Sequence, residues 1–163
     1  PLTGLLNRRG FTTLIRPHAR TDNHCAIVID IDHFKKINDR YGHDAGDAVL
    51  ITLAGQLRSA CRSSDIVSRS GGEEFVIFLP DTLLADAAAT AERIRHLVET
   101  WSFPFVGRIT VSAGVAALTD AQGSTDLLFR QADMALYEAK GAGRNIVIIS
   151  TPDGLKINPG SSE

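Results

Sequence analysis

Two places in the sequence bring acids together at spacings that suit metal chemistry. The apolar run Cys-Ala-Ile-Val-Ile-Asp-Ile over residues 25–31 closes on Asp30 and Asp32. The two-residue period of a strand sets these acids on one face and Ile31 on the other. Carboxylates at a strand end can hold a hard divalent cation such as Mg²⁺, above all beside phosphate groups, because such cations take oxygen donors. Further ligands could come from Glu73 or Glu74, which follow Gly71-Gly72 in a turn between two short apolar runs. Glycines there allow positive φ and let a ligand approach the backbone without a Cβ in the way. The competing reading is a set of solvated acids capping strand ends, and an ordinary Gly-Gly hairpin. Residue pattern leaves both open.

Lys140-Gly141-Ala142-Gly143-Arg144 places two cations across a glycine-rich turn, which helps them converge on an anion. The Gly-x-Gly unit is too short and wrongly placed for a dinucleotide fingerprint or a P-loop. Taken alone, Asn38 reads as a turn residue, Asp47 as a helix cap and Arg62-Ser63-Ser64-Asp65 as a helix-end ion pair of the kind worth little at a surface. Cys25 and Cys61 form no Cys-x-x-Cys or Cys/His cluster, so structural zinc is not indicated. They fit a reducing compartment, and no neighbouring base marks Cys61 as a nucleophile.

The elements that must position these groups follow from periodicity. Residues 6–20 read as a helix, 25–31 as a strand, and 45–61 as a helix whose Val49, Leu50, Leu53 and Leu57 share a face. Short strands over 65–69 and 75–79 flank the Ser70-Gly71-Gly72-Glu73 hairpin signal. An Ala-rich helix spans 82–100 and a strand spans 108–116. A helix over 124–140 has Ser124 as N-cap and Gly141 as C-cap, and a last strand covers 145–149. Phe34, Phe75, Phe78, Phe105, Phe129, Trp101 and Met134 are expected in the core. Residues 1–150 form one domain and 151–163 a flexible tail. A hairpin among alternating helices and strands predicts an α+β, two-layer sandwich with a mixed or antiparallel sheet and helices packed on it.

Composition agrees. The chain has 163 residues, 44% hydrophobic and 22% charged, with net charge −2, an ordinary globular balance. It argues against disorder, a collagen repeat or a disulfide scaffold, and gives no broad electrostatic reason to bind DNA or RNA. No apolar run reaches the roughly 18 residues of a membrane span. The start at Pro1 suggests an excised domain, expected in the cytoplasm, whose parent chain is open to membrane anchoring.

Ser70-Gly71-Gly72-Glu73-Glu74-Phe75 resembles the signature of the GGDEF family, the diguanylate cyclases, in its GGEEF variant. Residues 2–9 (Leu-Thr-Gly-Leu-Leu-Asn-Arg-Arg) resemble the family's opening motif. Residues 30–39 (Asp-Ile-Asp-His-Phe-Lys-Lys-Ile-Asn-Asp) and 41–47 (Tyr-Gly-His-Asp-Ala-Gly-Asp) resemble its first active-site stretch. Residues 137–145 (Tyr-Glu-Ala-Lys-Gly-Ala-Gly-Arg-Asn) resemble its closing motif. The agreement runs over residues 2–149 in order and spacing.

The resemblance implies a nucleotidyl-cyclase, ferredoxin-like sheet. It implies an enzyme that condenses two GTP into cyclic di-GMP and releases two pyrophosphates, each of two face-to-face domains binding one GTP. Carried over residue by residue, Asp30 and Glu73 with the carbonyl of Ile31 would ligate Mg²⁺, with Mn²⁺ as the alternative. Glu74 would sit by the attacking hydroxyl as base or help hold the metal. Asn38 and Asp47 would read guanine, whose N1–H and N2–H₂ suit a carboxylate acceptor. Lys35, Lys140 and Arg144, with backbone N–H groups around His33 and Phe34, would hold phosphates; the His33 side chain has no expected metal role. Arg62, Asp65 and Arg93 match an inhibitory site for cyclic di-GMP. Further partners implied are a second copy of the domain and an upstream sensory or receiver domain. The competing readings are a non-catalytic GTP- or cyclic di-GMP-binding signalling module and a structural dimerisation domain; the latter leaves the Asn38/Asp47 and Lys140/Arg144 pattern unexplained.

Overall fold

The computed structural model of the chain describes residues 2–18, 23–118 and 124–162. Its organising strand is β1 (His24–Ile31), all eight residues of which are buried. A strand so uniformly apolar must be covered on both faces and paired on both edges. β3 (Glu74–Leu79) pairs with one edge and β4 (Val111–Leu118) with the other, both antiparallel. β2 (Ile66–Arg69) extends the sheet beyond β3. β5 (Val147–Thr151) runs parallel to β4, and β6 (Gly154–Ile157) antiparallel to β5. The order β2-β3-β1-β4-β5-β6 is the expected mixed sheet.

Alternation along β1 divides the interior in two. Cys25, Ile27, Ile29 and Ile31 face α3 (His43–Ala60) and α4 (Leu84–Thr100). Ala26 and Val28 face α1 (Arg8–Ile15) and α5 (Thr125–Gly141). Helices thus lie on both faces of the sheet, the expected α+β arrangement of a mixed sheet with surrounding helices. At Gly114 in β4 a Cβ would fall 2.1 Å from the Ala132 carbonyl oxygen and 2.4 Å from the Leu136 nitrogen. The backbone of α5 therefore rests directly on the sheet, fixing where its last turn ends.

Several local expectations shift. The first helix is confined to α1, capped by the Asn7 side chain, which accepts from Gly10 N at 2.9 Å. It tightens to a 3₁₀ turn at Arg16–His18, where Pro17 has no N–H to give; residues 19–20 of the expected helix lie outside the described residues. Ser124 caps α5 as expected, accepting from Leu127 N at 3.1 Å, but the C-cap is Ala142 and Gly141 is still helical. A separate helix, α2 (Phe34–Tyr41), stands between the expected strand and helix, where no element was assigned; only Phe34 and Ile37 are buried in it, too few for a periodic signal. Past residue 150, where a flexible tail was expected, β6 forms a hairpin with β5 across Pro152-Asp153-Gly154, closed by Thr151 Oγ1 donating to Gly154 O at 2.7 Å. Three expected core residues are exposed: Phe105 in the short turn between Phe103 and Gly107, Trp101 at the end of α4, and Met134 on the outer side of α5.

Candidate active site

β1 delivers Asp30 to the end of the sheet, opposite Glu74 in β3 and Ser112 in β4. As an even position of β1 it faces α5, and the last turn of that helix supplies Lys140, whose Nζ donates to Asp30 Oδ2 at 2.8 Å. Asp30 is buried. Burial, and then the charge of Asp32, raises its carboxyl above the ordinary range, with Lys140 and Arg144 pulling the other way.

Asp32 shares that face but is fully engaged. It accepts from Thr110 Oγ1 at 2.7 Å, from Ser112 Oγ at 2.6 Å and from the Asn145 backbone N–H at 3.0 Å. Three donors make it a strut between β1, the approach to β4 and the loop after α5.

Glu73 is brought to the same end by the hairpin. Its carbonyl accepts from Ile31 N at 3.3 Å, tying the turn to the end of β1. Arg69 braces the turn from within, donating to Gly72 O from Nε and Nη2 at 3.1 and 2.8 Å. The Glu73 carboxyl is raised by burial and then by Asp30, against Lys140. Two partly desolvated acids at one sheet end, one of them raised by the charge of the other, have an electrostatic need for a cation. Two carboxylates and the nearby Ile31 carbonyl are hard oxygen donors, and they suit a small divalent ion that keeps positions open for phosphate and water. Among the described residues there is no group of three or more His, Cys, Asp or Glu that could hold a metal ion.

Glu74 also has a raised carboxyl, through burial and then the charges of Asp133 and Asp30, while the Ser70 hydroxyl, donating to Oε1 at 3.1 Å, opposes the shift. It lines a cavity of about 410 Å³ between α1 and α5, floored by Val28, Ser68 and Val76.

The phosphate positions expected at the start of α2 have a clear backbone basis. His33 precedes the helix in a left-handed conformation (φ 58°) and makes no side-chain cap. The first N–H groups of α2 are then left to a ligand, with the positive end of the helix dipole behind them. Phe34 is buried and anchors the turn, while His33 and Lys35 are exposed. Arg144 follows α5 at φ 66°, exposed, with its charge felt at Asp30.

The residues expected to read guanine lie on the seam between α2 and α3. Asn38 presses on Gly46, where a Cβ would stand 1.8 Å from Asn38 Oδ1. Only glycine admits this approach. Asn38 Oδ1 is buried with no protein donor, an acceptor left for water or a ligand N–H. Asp47 is the next residue of α3 after Gly46 and is exposed.

The third expected group sits away from this end. Arg62 N donates to Asp65 Oδ2 at 2.8 Å and Arg62 Nη2 to Thr82 Oγ1 at 2.6 Å; the Arg62–Asp65 ion pair measures 3.6 Å. Arg93 reaches across from α4 to Ala60 O at 2.8 Å. All three charges act on Cys61, whose thiol burial pushes up to about 12, so it is no nucleophile.

Sequence reasoning missed Thr110, Ser112, Asn145 and Arg95, all of which act on groups in the site. Asn145 was visible only as the last residue of a motif. Glu92, Arg95 and Glu99 carry i,i+3 and i,i+4 spacings that read as a solvated helix face.

An acidic sheet end with Lys140 and Arg144 beside it, followed in the chain by an uncapped helix N-terminus, marks an α+β domain with a candidate site for an anionic ligand. The family model described as "Diguanylate cyclase, GGDEF domain" matches residues 1–146. Over 152 residues the chain is 47% identical to diguanylate cyclase DgcM of Escherichia coli, covering 90% of this chain and 37% of that protein. Over 157 residues it is 45% identical to response regulator PleD of Caulobacter vibrioides, covering 90% and 35%. A crystal structure of the GGDEF domain of DgcB from Caulobacter crescentus in complex with cyclic di-GMP superposes with a TM-score of 0.83 at 33% identity, covering 91% of this chain and 93% of that one. This chain belongs to the diguanylate cyclase GGDEF domain family. It spans a little over a third of the length of these curated relatives. No helix among the described residues is long and apolar enough to cross a membrane.

Proposed function

We propose that this domain condenses two GTP molecules into cyclic di-GMP and two pyrophosphates, as one half of a face-to-face pair. The observation that carries this is the convergence of Asp30 and Glu73 at one sheet end, with Lys140 and Arg144 beside them and the uncapped N-terminus of α2 close by. Family membership supplies the reaction class.

Cyclases of this family are generally metal-dependent, and Asp30, Glu73 and the Ile31 carbonyl would hold that metal. Their oxygen chemistry fits Mg²⁺, with Mn²⁺ as the alternative. When bound, such an ion neutralises charge on the triphosphate and on the departing pyrophosphate. Asn38 and Asp47 orient guanine. The α2 N–H groups, Lys35, Lys140 and Arg144 hold the phosphates so that the α-phosphorus faces the partner's nucleotide. The 3′-oxygen of one GTP then forms a bond to the α-phosphorus of the other, and the bond from that phosphorus to the bridging oxygen of the β-phosphate breaks. Glu74, tied to Ser70 through Oε1, has Oε2 to receive the hydroxyl proton. Repeating the step with the roles exchanged closes the ring.

Arg62, Asp65 and Arg93 form the site at which cyclic di-GMP inhibits; Arg62 stays exposed and able to turn to a ligand. In the parent protein an upstream sensory or receiver domain would govern the meeting of two copies. The test is incubation with GTP and Mg²⁺ at high protein concentration. Cyclic di-GMP and pyrophosphate in a 1:2 ratio are expected. Bound GTP without product would replace this reading with a binding module.

A further inference from the structure

Arg95 lies in the middle of α4 with 4% of its surface exposed. Its Nε donates to both carboxylate oxygens of Glu92, at 3.1 and 3.0 Å, and its Nη2 to Glu92 Oε1 at 2.5 Å. Its Nη1 reaches Glu99 Oε2 at 3.4 Å and Asn145 Oδ1 at 2.9 Å. Asn145 Nδ2 donates to Glu99 Oε2. A charge this buried persists only where it is paired and hydrogen-bonded, and every partner named here lies on α4 itself except Asn145.

Asn145 is gripped from its other side by the sheet. Its backbone N–H donates to Asp32 Oδ2 at 3.0 Å and to Ser112 Oγ at 3.2 Å. It closes a run of three positive-φ residues: Gly143 at 108°, Arg144 at 66° and Asn145 at 50°. Asparagine tolerates this region, but an arginine there is costly, by about 1–2 kcal/mol for an L-residue. Such a conformation holds only when its surroundings over-determine it. Of the two non-glycine residues, Asn145 has the side-chain grip, and Arg144 is the one whose charge is felt at Asp30.

We propose that Arg95 is a positioning residue for nucleotide binding: from inside α4 it clamps the Asn145 side chain, and so keeps Arg144 in the left-handed conformation that holds its guanidinium toward the Asp30 end of the sheet. Glu92 sets the Arg95 fork, and Asp32 is the opposing jaw. The proposal rests on the reading of Arg144 as a phosphate contact.

The experiment measures binding of 3′-deoxy-GTP, which cannot condense, to the domain with Mg²⁺ by calorimetry, with thermal melts alongside. Arg144→Ala is expected to weaken binding about tenfold, the scale of one charge-assisted hydrogen bond. Arg95→Gln and Asn145→Gly should each give a loss of similar size, the glycine keeping the φ but not the grip. Arg95→Lys should recover part of it. The double variants with Arg144→Ala should bind within twofold of Arg144→Ala alone, because the clamp acts only through that residue; a packing defect would add its own loss. Should Arg95→Gln fail to fold, Asn145→Gly and its double variant decide. The clamp is overturned if Asn145→Gly binds like wild type while Arg144→Ala is weakened, or if the losses add. An Arg144→Ala with wild-type affinity overturns the phosphate reading itself and the clamp with it.

Discussion

Lys140 Nζ stands 2.8 Å from Asp30 Oδ2 and joins the last turn of α5 to the end of β1. The lysine side chain is 37% exposed and the aspartate side chain 10%, so the pair can open from the lysine side. Lys140 thus serves Asp30 as counter-ion and, in the proposed complex, meets phosphate instead. Lys140→Met is expected to tighten binding of Mn²⁺ alone, by removing a competing cation, and to weaken GTP binding about tenfold. Calorimetric titrations with metal and with nucleotide check both directions; weaker metal binding would contradict this view.

The acid pair should show opposite effects on stability and activity. The folded-state pKa values of Asp30 and Glu73 lie above the ordinary carboxylate range, so the native state holds their protons more tightly than the unfolded chain does. Their ionisation then opposes folding at pH values above the folded pKa, and the penalty lifts as pH falls through it. In chelator at pH 7.5, Glu73→Gln should melt about 1–3 °C above wild type, a small gain because the site is partly solvated. The gap should close toward pH 4. Turnover of GTP should fall about 1,000-fold in the same variant, the scale of a lost metal ligand. Paired melts and product assays test this.

Gly46 leaves the room that Asn38 occupies. Gly46→Ala places a Cβ 1.8 Å from Asn38 Oδ1 and must displace the amide. Preference for GTP over ATP should drop about tenfold or more, since a mismatched base is rejected by the polar groups it leaves unpaired. Asn38→Ala should lose selectivity to a similar degree with less effect on the melt. Competition binding of the two nucleotides is the measurement.

Arg62 supplies a separate prediction. Its side chain is 60% exposed, so Arg62→Ala should leave the melting temperature within about 2 °C. Initial rates should be unchanged, while accumulated cyclic di-GMP no longer slows the reaction. A progress curve with added product decides it, and a wild-type enzyme insensitive to product would remove the site.

Much of this was readable in the sequence because motif residues sit where strong local signals place them. β1 is an unbroken apolar run ending in acids, and the Gly71-Gly72 turn is a hairpin signal between two strand patterns, so Asp30 and Glu73 were visible as neighbours. What escaped depends on contacts remote in sequence. Asp32 looked equivalent to Asp30 until Thr110, Ser112 and Asn145 N–H closed on it, 78 or more residues away. Arg95 has the spacing of a surface ion pair and becomes buried only when α4 packs on β4 and β5. The strand after Pro152 was passed over because Leu155 and Ile157 alternate for only four residues within a polar, Gly/Pro/Ser-rich stretch, although Pro-Asp-Gly is a turn signal.

That last strand also sets which backbone the sheet leaves open at its edge. At one margin of the sheet Leu6 forms a parallel bridge to Ser68 and its carbonyl accepts from Arg69 N at 3.1 Å. At the other, β6 lies outermost, only four residues long, bearing Lys156 and bounded by Pro152 and Pro159. Asn158 then pins the chain down, its N–H donating to Val147 O at 2.9 Å and its Nδ2 to Ala88 O at 3.1 Å. Short, charged, proline-flanked margins are poor templates for strand addition. Sheet-to-sheet polymerisation is thereby discouraged at both ends, and encounters between copies are left to the helix and loop surfaces, where the nucleotide is proposed to sit.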